Sequence, residues 1–333
     1  VKIGIHCNQF DGRGSGKVPF DYGFYLNKIY GHDIVYITSN RSDNGGLERI
    51  NKHFKSILYD RPPVHMQPSY MQVETNSILE SIVSDEEIEF LHLVKSGEND
   101  NVTPSNCKTA VQCVFNMHSP HGDVYAGVSK YLANKYNKTE YVPHIISYKS
   151  PSDDYRKKYN ISKDYFVVGR HGGIGQFNIP FVRTCVEEIL KHRTDIFFLF
   201  LSTEPFIQHE RVLFIPWVNS EQDIFNFINA CDVMLHARTE GETFGLAVAE
   251  FSVSNKPIIT WSGYVNGRYY PLYDKSHIDI LQDRAIIYND KQDLLDILFS
   301  INREFVNQYC WDKYSTEFSS ENVIKRYKEV FKL

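Results

Sequence analysis

The sequence predicts an α/β protein of two doubly wound, parallel-sheet domains that face each other across a cleft. Two stretches carry this expectation: each opens on a short apolar strand, passes through a glycine loop, continues as a helix and returns to a strand. The polar segment Ser147-Tyr-Lys-Ser-Pro-Ser-Asp-Asp154 between them has the composition of a linker. At 333 residues the chain is long for one hydrophobic core, which favours the same division.

In the first stretch, Lys2–Cys7 is a buried strand and Gly12, Gly14 and Gly16 form the loop after it. An aromatic helix follows over 19–30, Gly31-His32-Asp33 turns the chain, and 34–38 is the second strand. Further strands are expected at 89–94, 109–115 and 124–128, with a helix beginning near Ser129. The second stretch has a strand at 165–168, the loop Gly169-Arg-His-Gly-Gly173, a helix over 179–191, and strands at Ile196–Leu201 and Val212–Ile215. It continues with a helix over 222–230, a strand at 232–236, a helix over 244–253, and strands at 257–260 and Ala285–Tyr288; a closing helix starts at 294–300. The result is an N-terminal Rossmann-like domain over 1–148 and a C-terminal one over 155–308. In such folds ligands sit beyond the carboxyl ends of the strands, so the cleft is the expected site.

The net charge of −5 gives no reason to expect nucleic acid as a partner. The 22 Tyr and 22 Phe suit carbohydrate-stacking surfaces, although large aromatic cores are the commoner cause. Six cysteines show neither a CxxC pair nor zinc-like spacing and are read as buried thiols of a reducing compartment. No apolar run reaches the ~18–20 residues of a membrane span, and no charged-then-apolar leader opens the chain. A cytoplasmic protein without a transmembrane segment is expected, with peripheral membrane contact left open. The sequons at Asn40, Asn101, Asn137 and Asn160 are read as chance.

The chemistry concentrates in Glu242-Thr-Phe-Gly-Leu-Ala-Val-Ala-Glu250, two carboxylates around a Phe-Gly turn that opens a helix. A helix start offers unpaired N–H groups and a positive dipole end to an anion such as a diphosphate. Flanking acids can hold hydroxyl groups on either side of it, a layout that suits a nucleotide-sugar. In a continuous helix the two acids would stand roughly 12 Å apart. Acid/base pairs of glycoside hydrolases stand ~5–9.5 Å apart, so these two are poorly suited to such a couple. Arg170 follows a strand in a glycine loop, where a guanidinium can meet phosphate oxygens in pairs. The amides of Gly172, Gly173, Phe244 and Gly245 are the expected co-donors.

Together the acidic pair around Phe244-Gly245-Leu246, the Gly169-Arg170 loop and the order of elements resemble the retaining glycosyltransferases of family 4, with the GT-B fold. Gly31-His32-Asp33-Ile34-Val35 and Trp311-Asp-Lys-Tyr-Ser…Tyr327-Lys-Glu-Val-Phe331 are similar to further parts of that family, the latter to a terminal helix over about 313–333 that packs back on the first domain. The resemblance implies transfer of a sugar, with retention, from a UDP- or GDP-linked donor to a hydroxyl acceptor such as a glycan, glycolipid or lipid-linked saccharide. It implies no cofactor and no metal, since helix ends and Arg supply the countercharge. Glu242 would contact the donor sugar, Glu250 the ribose, and Arg170, Gly172, Gly173, Phe244, Gly245 and Leu246 the rest of the donor. His118, with His121 as competitor, would face the sugar from the first domain. Ile215-Pro216-Trp217-Val218 falls where the family binds the base; Trp217 is equally readable as core. The loop of Gly12, Gly14 and Gly16 would approach donor or acceptor, or is a plain surface turn.

The chain departs from the family in two places. Gln176 and Phe177 stand where a phosphate-binding Lys is usual, with Arg183 and Arg238 as candidate substitutes, and Ala237-Arg238 replaces the usual Pro-Ser. Three rival functions follow: a nucleotide-sugar epimerase on the same scaffold, a non-catalytic sugar-binding protein, and a transferase without activity.

Overall fold

A computed structural model describes residues 1–12, 14–218 and 220–333, with Ser15 described in its backbone only. Arg13, inside the expected glycine loop, lies outside the described residues. The chain divides into two compact units, Val1–Ile145 with Ser320–Leu333, and Ile146–Ser319.

Unit 1 is built on a six-stranded parallel sheet of β1 (Lys2–Cys7), β2 (Asp33–Ser39), β3 (Lys55–Tyr59), β4 (Phe90–Lys95), β5 (Lys108–Cys113) and β6 (Val124–Gly127), in the order β3-β2-β1-β4-β5-β6. Ile5 of β1 is fully buried, opposite Tyr36 on one side and His92 on the other. Such near-continuous burial is what a parallel sheet covered on both faces requires. The first helix, Gly14–Tyr30, starts five residues ahead of the expected position, so Gly14 and Gly16 are helical rather than part of a loop. The reason is steric. A Cβ on Gly16 would stand 1.8 Å from the Asp11 carbonyl oxygen, so glycine lets the first turn press against the chain leaving β1. Pro19 is carried inside the helix.

The last helix, Ser320–Phe331, belongs to this unit and starts later than the expected 313. Tyr327 and Phe331 each place their rings 5.3 Å from that of His92, and Arg326 lies 3.4 Å over the Tyr141 ring. A 17-residue helix, Ser69–Asp85, was not legible in the sequence; it buries Thr75, Leu79 and Val83, one face at four-residue spacing.

Unit 2 repeats the architecture with β7 (Phe166–Arg170), β8 (Ile196–Leu201), β9 (Val212–Ile215), β10 (Val233–His236), β12 (Ile258–Trp261) and β16 (Ala285–Tyr288), all parallel in the order β16-β12-β10-β7-β8-β9. Gly169 is required in β7, because a Cβ there would meet Cys231 Sγ at 2.2 Å. Between β10 and β16 lie short strands that the sequence pattern did not reveal: β11 (Gly241–Glu242) pairs with β15 (Asp274–Lys275), and β13 (Tyr264–Val265) with β14 (Arg268–Tyr269). Asn266 and Gly267, at φ of 49° and 84°, make the β13–β14 turn, which only residues tolerant of positive φ allow. Strand order reverses direction between β7 and β10, a position where open α/β sheets bind ligands. Among the described residues no helix is long and apolar enough to cross a membrane.

Candidate functional site

β7 ends on Arg170, which is 4% exposed. Its Nη1 donates to the Ser202 carbonyl at 2.9 Å and to Thr203 Oγ1 at 2.7 Å, and its Nη2 donates to the Gly173 carbonyl at 2.7 Å. Burial lowers the guanidinium to about 10, still charged at neutral pH. Arg170 thus braces the turn after β7 and the end of β8, and three of its five N–H donors are engaged in doing so. Gly172 sits at φ 148°, where a Cβ would press on Arg170 Nη2 at 3.0 Å. The Gly173 amide, expected to meet phosphate, instead donates to Gln176 Oε1 at 3.1 Å. Gln176, standing where the usual Lys is missing, folds back as a cap on its own loop.

β10 ends on His236, which is 6% exposed, and the chain then turns through Arg238 into β11. Gly241 holds φ 62°, and a Cβ there would meet the Asp274 carbonyl oxygen at 2.0 Å. Only glycine therefore permits the β11–β15 pairing that presents Glu242. His236 Nε2 is 3.2 Å from Glu242 Oε1, and Arg238 Nη1 donates to Glu242 Oε2 at 3.0 Å. Burial works to raise the Glu242 carboxyl, but the His236 hydrogen bond and the Arg238 charge outweigh it and hold the group at about 2. Glu242 is a carboxylate at any physiological pH, and its side chain keeps 16% exposure. Behind it, Thr260 Oγ1 lies 2.9 Å from His236 Nδ1 and 3.0 Å from His277 Nε2.

Glu242 precedes the helix rather than lying in it, since the helix runs from Leu246 to Val253 and not from Phe244; the axial spacing of a continuous helix does not apply. Gly245, at φ 87°, is its N-cap. The ladder opens with the Ala249 amide donating to the Gly245 carbonyl at 2.9 Å, leaving the amides of Leu246, Ala247 and Val248 ahead of it. Phe244 is anchored in the core: its ring lies 5.1 Å from Phe318, and its carbonyl accepts from the Tyr314 hydroxyl at 3.1 Å. Glu250 is 5% exposed and faces His171 from 3.1 Å. Asn255, at φ 56°, supplies the left-handed residue after the helix end.

The remaining expected residues are dispersed. Val218 is half-buried in the loop after β9, beside half-buried Trp217. Arg183 donates through Nε and Nη2 to the Phe177 carbonyl, at 3.2 and 2.8 Å. His118 belongs to unit 1, exposed, with Nε2 3.3 Å from the Tyr136 hydroxyl and its ring edge-on to Tyr136 at 4.7 Å. His121 is pinned to the Ser119 carbonyl at 2.6 Å through Nδ1. Gly12 is exposed ahead of the first helix, and Gly14 and Gly16 are its first turn. Sequence reasoning missed His171, His236, Thr260 and His277. A signal existed for His171 and His236, each of which follows or ends an apolar strand at the switch point; none existed for His277, which lies in a stretch without a legible pattern.

No family model matches the sequence, and no curated protein matches it. Solved structures do. Anabaena Alr3699/HepE in complex with UDP-glucose superposes at a TM-score of 0.75 with 12% identity, over 99% of each chain. A glycosyltransferase from Rickettsia africae ESF-5 gives 0.72 and 14%, over 99% of this chain and 98% of its own. The fold is that of GT-B glycosyltransferase structures. A putative UDP-N-acetylglucosamine 2-epimerase from Listeria monocytogenes also matches, at 0.64 and 12% over 100% of this chain and 97% of its own. At these identities the likeness extends to the fold and no further.

Proposed function

We propose that the protein is a glycosyltransferase that moves a sugar from a nucleoside-diphosphate sugar, UDP- or GDP-linked, to a hydroxyl of a saccharide or glycolipid acceptor with retention. The observation that supports this reading most is Glu242, held ionised beside the start of helix Leu246–Val253 while its side chain stays partly open. An ionised carboxylate accepts hydrogen bonds from sugar hydroxyls, and the three leading amides suit a diphosphate that gains charge as the glycosidic bond breaks. Preorganised donors of this kind are worth about 2.7–4 kcal/mol each in other enzymes. The departing phosphate takes the acceptor's proton, so the reading names no separate base and no metal. That no disulfide forms among the described residues accords with action in the cytoplasm.

The His236–Thr260–His277 group beside Glu242 favours one second reading, a nucleotide-sugar epimerase, since imidazoles can move protons on a sugar. Incubation of the protein with each donor alone separates the two. A transferase leaves the sugar configuration intact, releases nucleotide slowly, and accelerates when acceptor is added. An epimerase returns an altered sugar without acceptor. A protein that hydrolyses, transfers and epimerises none of the donors contradicts both.

A further inference from the structure

We infer that His277 is a positioning residue for Glu242, acting through a directed hydrogen-bond relay that runs His277–Thr260–His236–Glu242. The inference rests on the glycosyl-transfer reading only for its kinetic consequence, not for the relay itself. His277, 0% exposed in helix Ser276–Leu281, is separated from Glu242 by two side chains. The links are 3.0 Å from His277 Nε2 to Thr260 Oγ1, 2.9 Å from Thr260 Oγ1 to His236 Nδ1, and 3.2 Å from His236 Nε2 to Glu242 Oε1.

Proton counting fixes the direction. A carboxylate can only accept, so His236 donates from Nε2, and with the ring neutral its Nδ1 is the acceptor. Thr260 has one proton, which it must donate to His236 Nδ1, so its oxygen accepts from His277. His277 is therefore protonated on Nε2, and its Nδ1 is the buried nitrogen left without a hydrogen-bond partner. The reverse arrangement would bury an unpartnered N–H at that place and turn a lone pair of His236 toward Glu242. An unsatisfied buried donor is the costlier defect, so the relay settles in one sense. Burial keeps His277 neutral by pushing it well below the usual imidazole value.

The groups facing Glu242 come from every neighbouring element. His236 ends β10, Arg238 follows in the same loop, His277 lies in its helix, and Arg170 at the end of β7 feels its charge, as does the Tyr314 hydroxyl. Of the two side chains that hydrogen-bond Glu242, His236 is linked through Thr260 to His277, whereas Arg238 pairs with a second acid, Glu240. A His236 free to change tautomer would lose its bond to Glu242 part of the time, and the carboxylate would swing on Arg238 alone.

Two measurements test this. In protein labelled with ¹⁵N-histidine, assigned by single replacements, His236 and His277 should both be Nε2–H tautomers at pH 8, and Thr260→Val should let His236 populate Nδ1–H. A parent protein with His236 protonated on Nδ1 overturns the relay whether or not any donor is turned over. For turnover, Thr260→Ser and His277→Gln, which keep a donor in place, should retain kcat within about threefold, whereas Thr260→Val and His277→Leu should lose about tenfold or more with donor KM nearly unchanged. The acid limb of the kcat profile in Thr260→Val should move up by about one pH unit. Parent-like kcat and pH profile in Thr260→Val would overturn the positioning role. Absence of turnover in the parent itself counts against the proposed function, and the tautomers then decide the relay alone.

Discussion

His171 Nε2 stands 3.1 Å from Glu250 Oε2, with 7% of each side chain exposed. The imidazole is also stacked on Phe251, ring centroids 5.7 Å apart, so the acid faces a fixed partner. Glu250 is thus placed differently from Glu242: its His171 contact lacks hydrogen-bond geometry, whereas Glu242 has an Arg and a relay of imidazoles. Different supports suit different tasks, the first a static binding contact and the second a group at the reacting sugar.

Glu250→Ala should weaken nucleotide binding by about tenfold or more while changing kcat little, and Glu242→Ala should lower kcat by about a hundredfold with a near-parental nucleotide Kd. Titration calorimetry with free nucleotide and steady-state turnover of the donor check this. Equal loss of both quantities in each variant would refute the division of labour.

Gly241→Ala should mimic the loss of Glu242 without touching it. The added methyl collides with the Asp274 carbonyl oxygen, 2.0 Å from the new Cβ, and the backbone sits at φ 62°. The β11–β15 pairing must open, displacing the carboxylate. Turnover should fall by about a hundredfold. Far-UV circular dichroism should show that the two large sheets persist.

Arg170→Lys should be costly although it conserves charge. A single ammonium cannot reproduce the three donations to Ser202, Thr203 and Gly173. A stability loss of about 1–3 kcal/mol is expected in urea unfolding, with weaker nucleotide binding.

The buried histidines of unit 1 should contribute to the acid sensitivity of the protein. Burial pushes His92 and His144 down to about 3 and His6 to about 4. Their folded values lie below the unfolded value near 6.5, so the unfolded chain binds more protons across that window. Stability is full above about pH 6.5 and falls as pH drops toward 4. His92 is packed among Tyr22, Tyr327 and Phe331 with neither ring nitrogen hydrogen-bonded. His92→Phe should therefore gain on the parent by about 2 kcal/mol at pH 5 relative to the difference at pH 7.5. Glu242 works lower on the scale. Its folded value of about 2 contributes stability above pH 4.5 that is lost as pH falls toward 2.

Much of this fold was legible because parallel strands declare themselves as short apolar runs: Lys2–Cys7, Ile196–Leu201, Val212–Ile215 and Ala285–Tyr288 lie where the pattern put them. What failed was what tertiary contacts decide. Gly14 and Gly16 read as loop residues by propensity, yet a close approach to Asp11 makes them helical. β3 carries no clear signal in the sequence, because Lys55-Ser-Ile-Leu-Tyr59 is a short edge strand with a mixed pattern. At the site, Glu242 and Glu250 stood out by spacing, whereas their partners did not. His277 meets Glu242 through β12 and β10, a juxtaposition that sheet order creates and sequence distance conceals.

The central claim, that the acids flanking the start of helix Leu246–Val253 hold a nucleotide-sugar, is tested most directly by thermal shift against UDP-, GDP-, ADP- and CMP-sugars in the parent and in Glu250→Ala. At ~100 times its dissociation constant a true donor stabilises by roughly 2.7 kcal/mol. The account predicts a rise in Tm with at least one donor class that Glu250→Ala abolishes. No shift with any donor, or a shift that Glu250→Ala leaves intact, would contradict it.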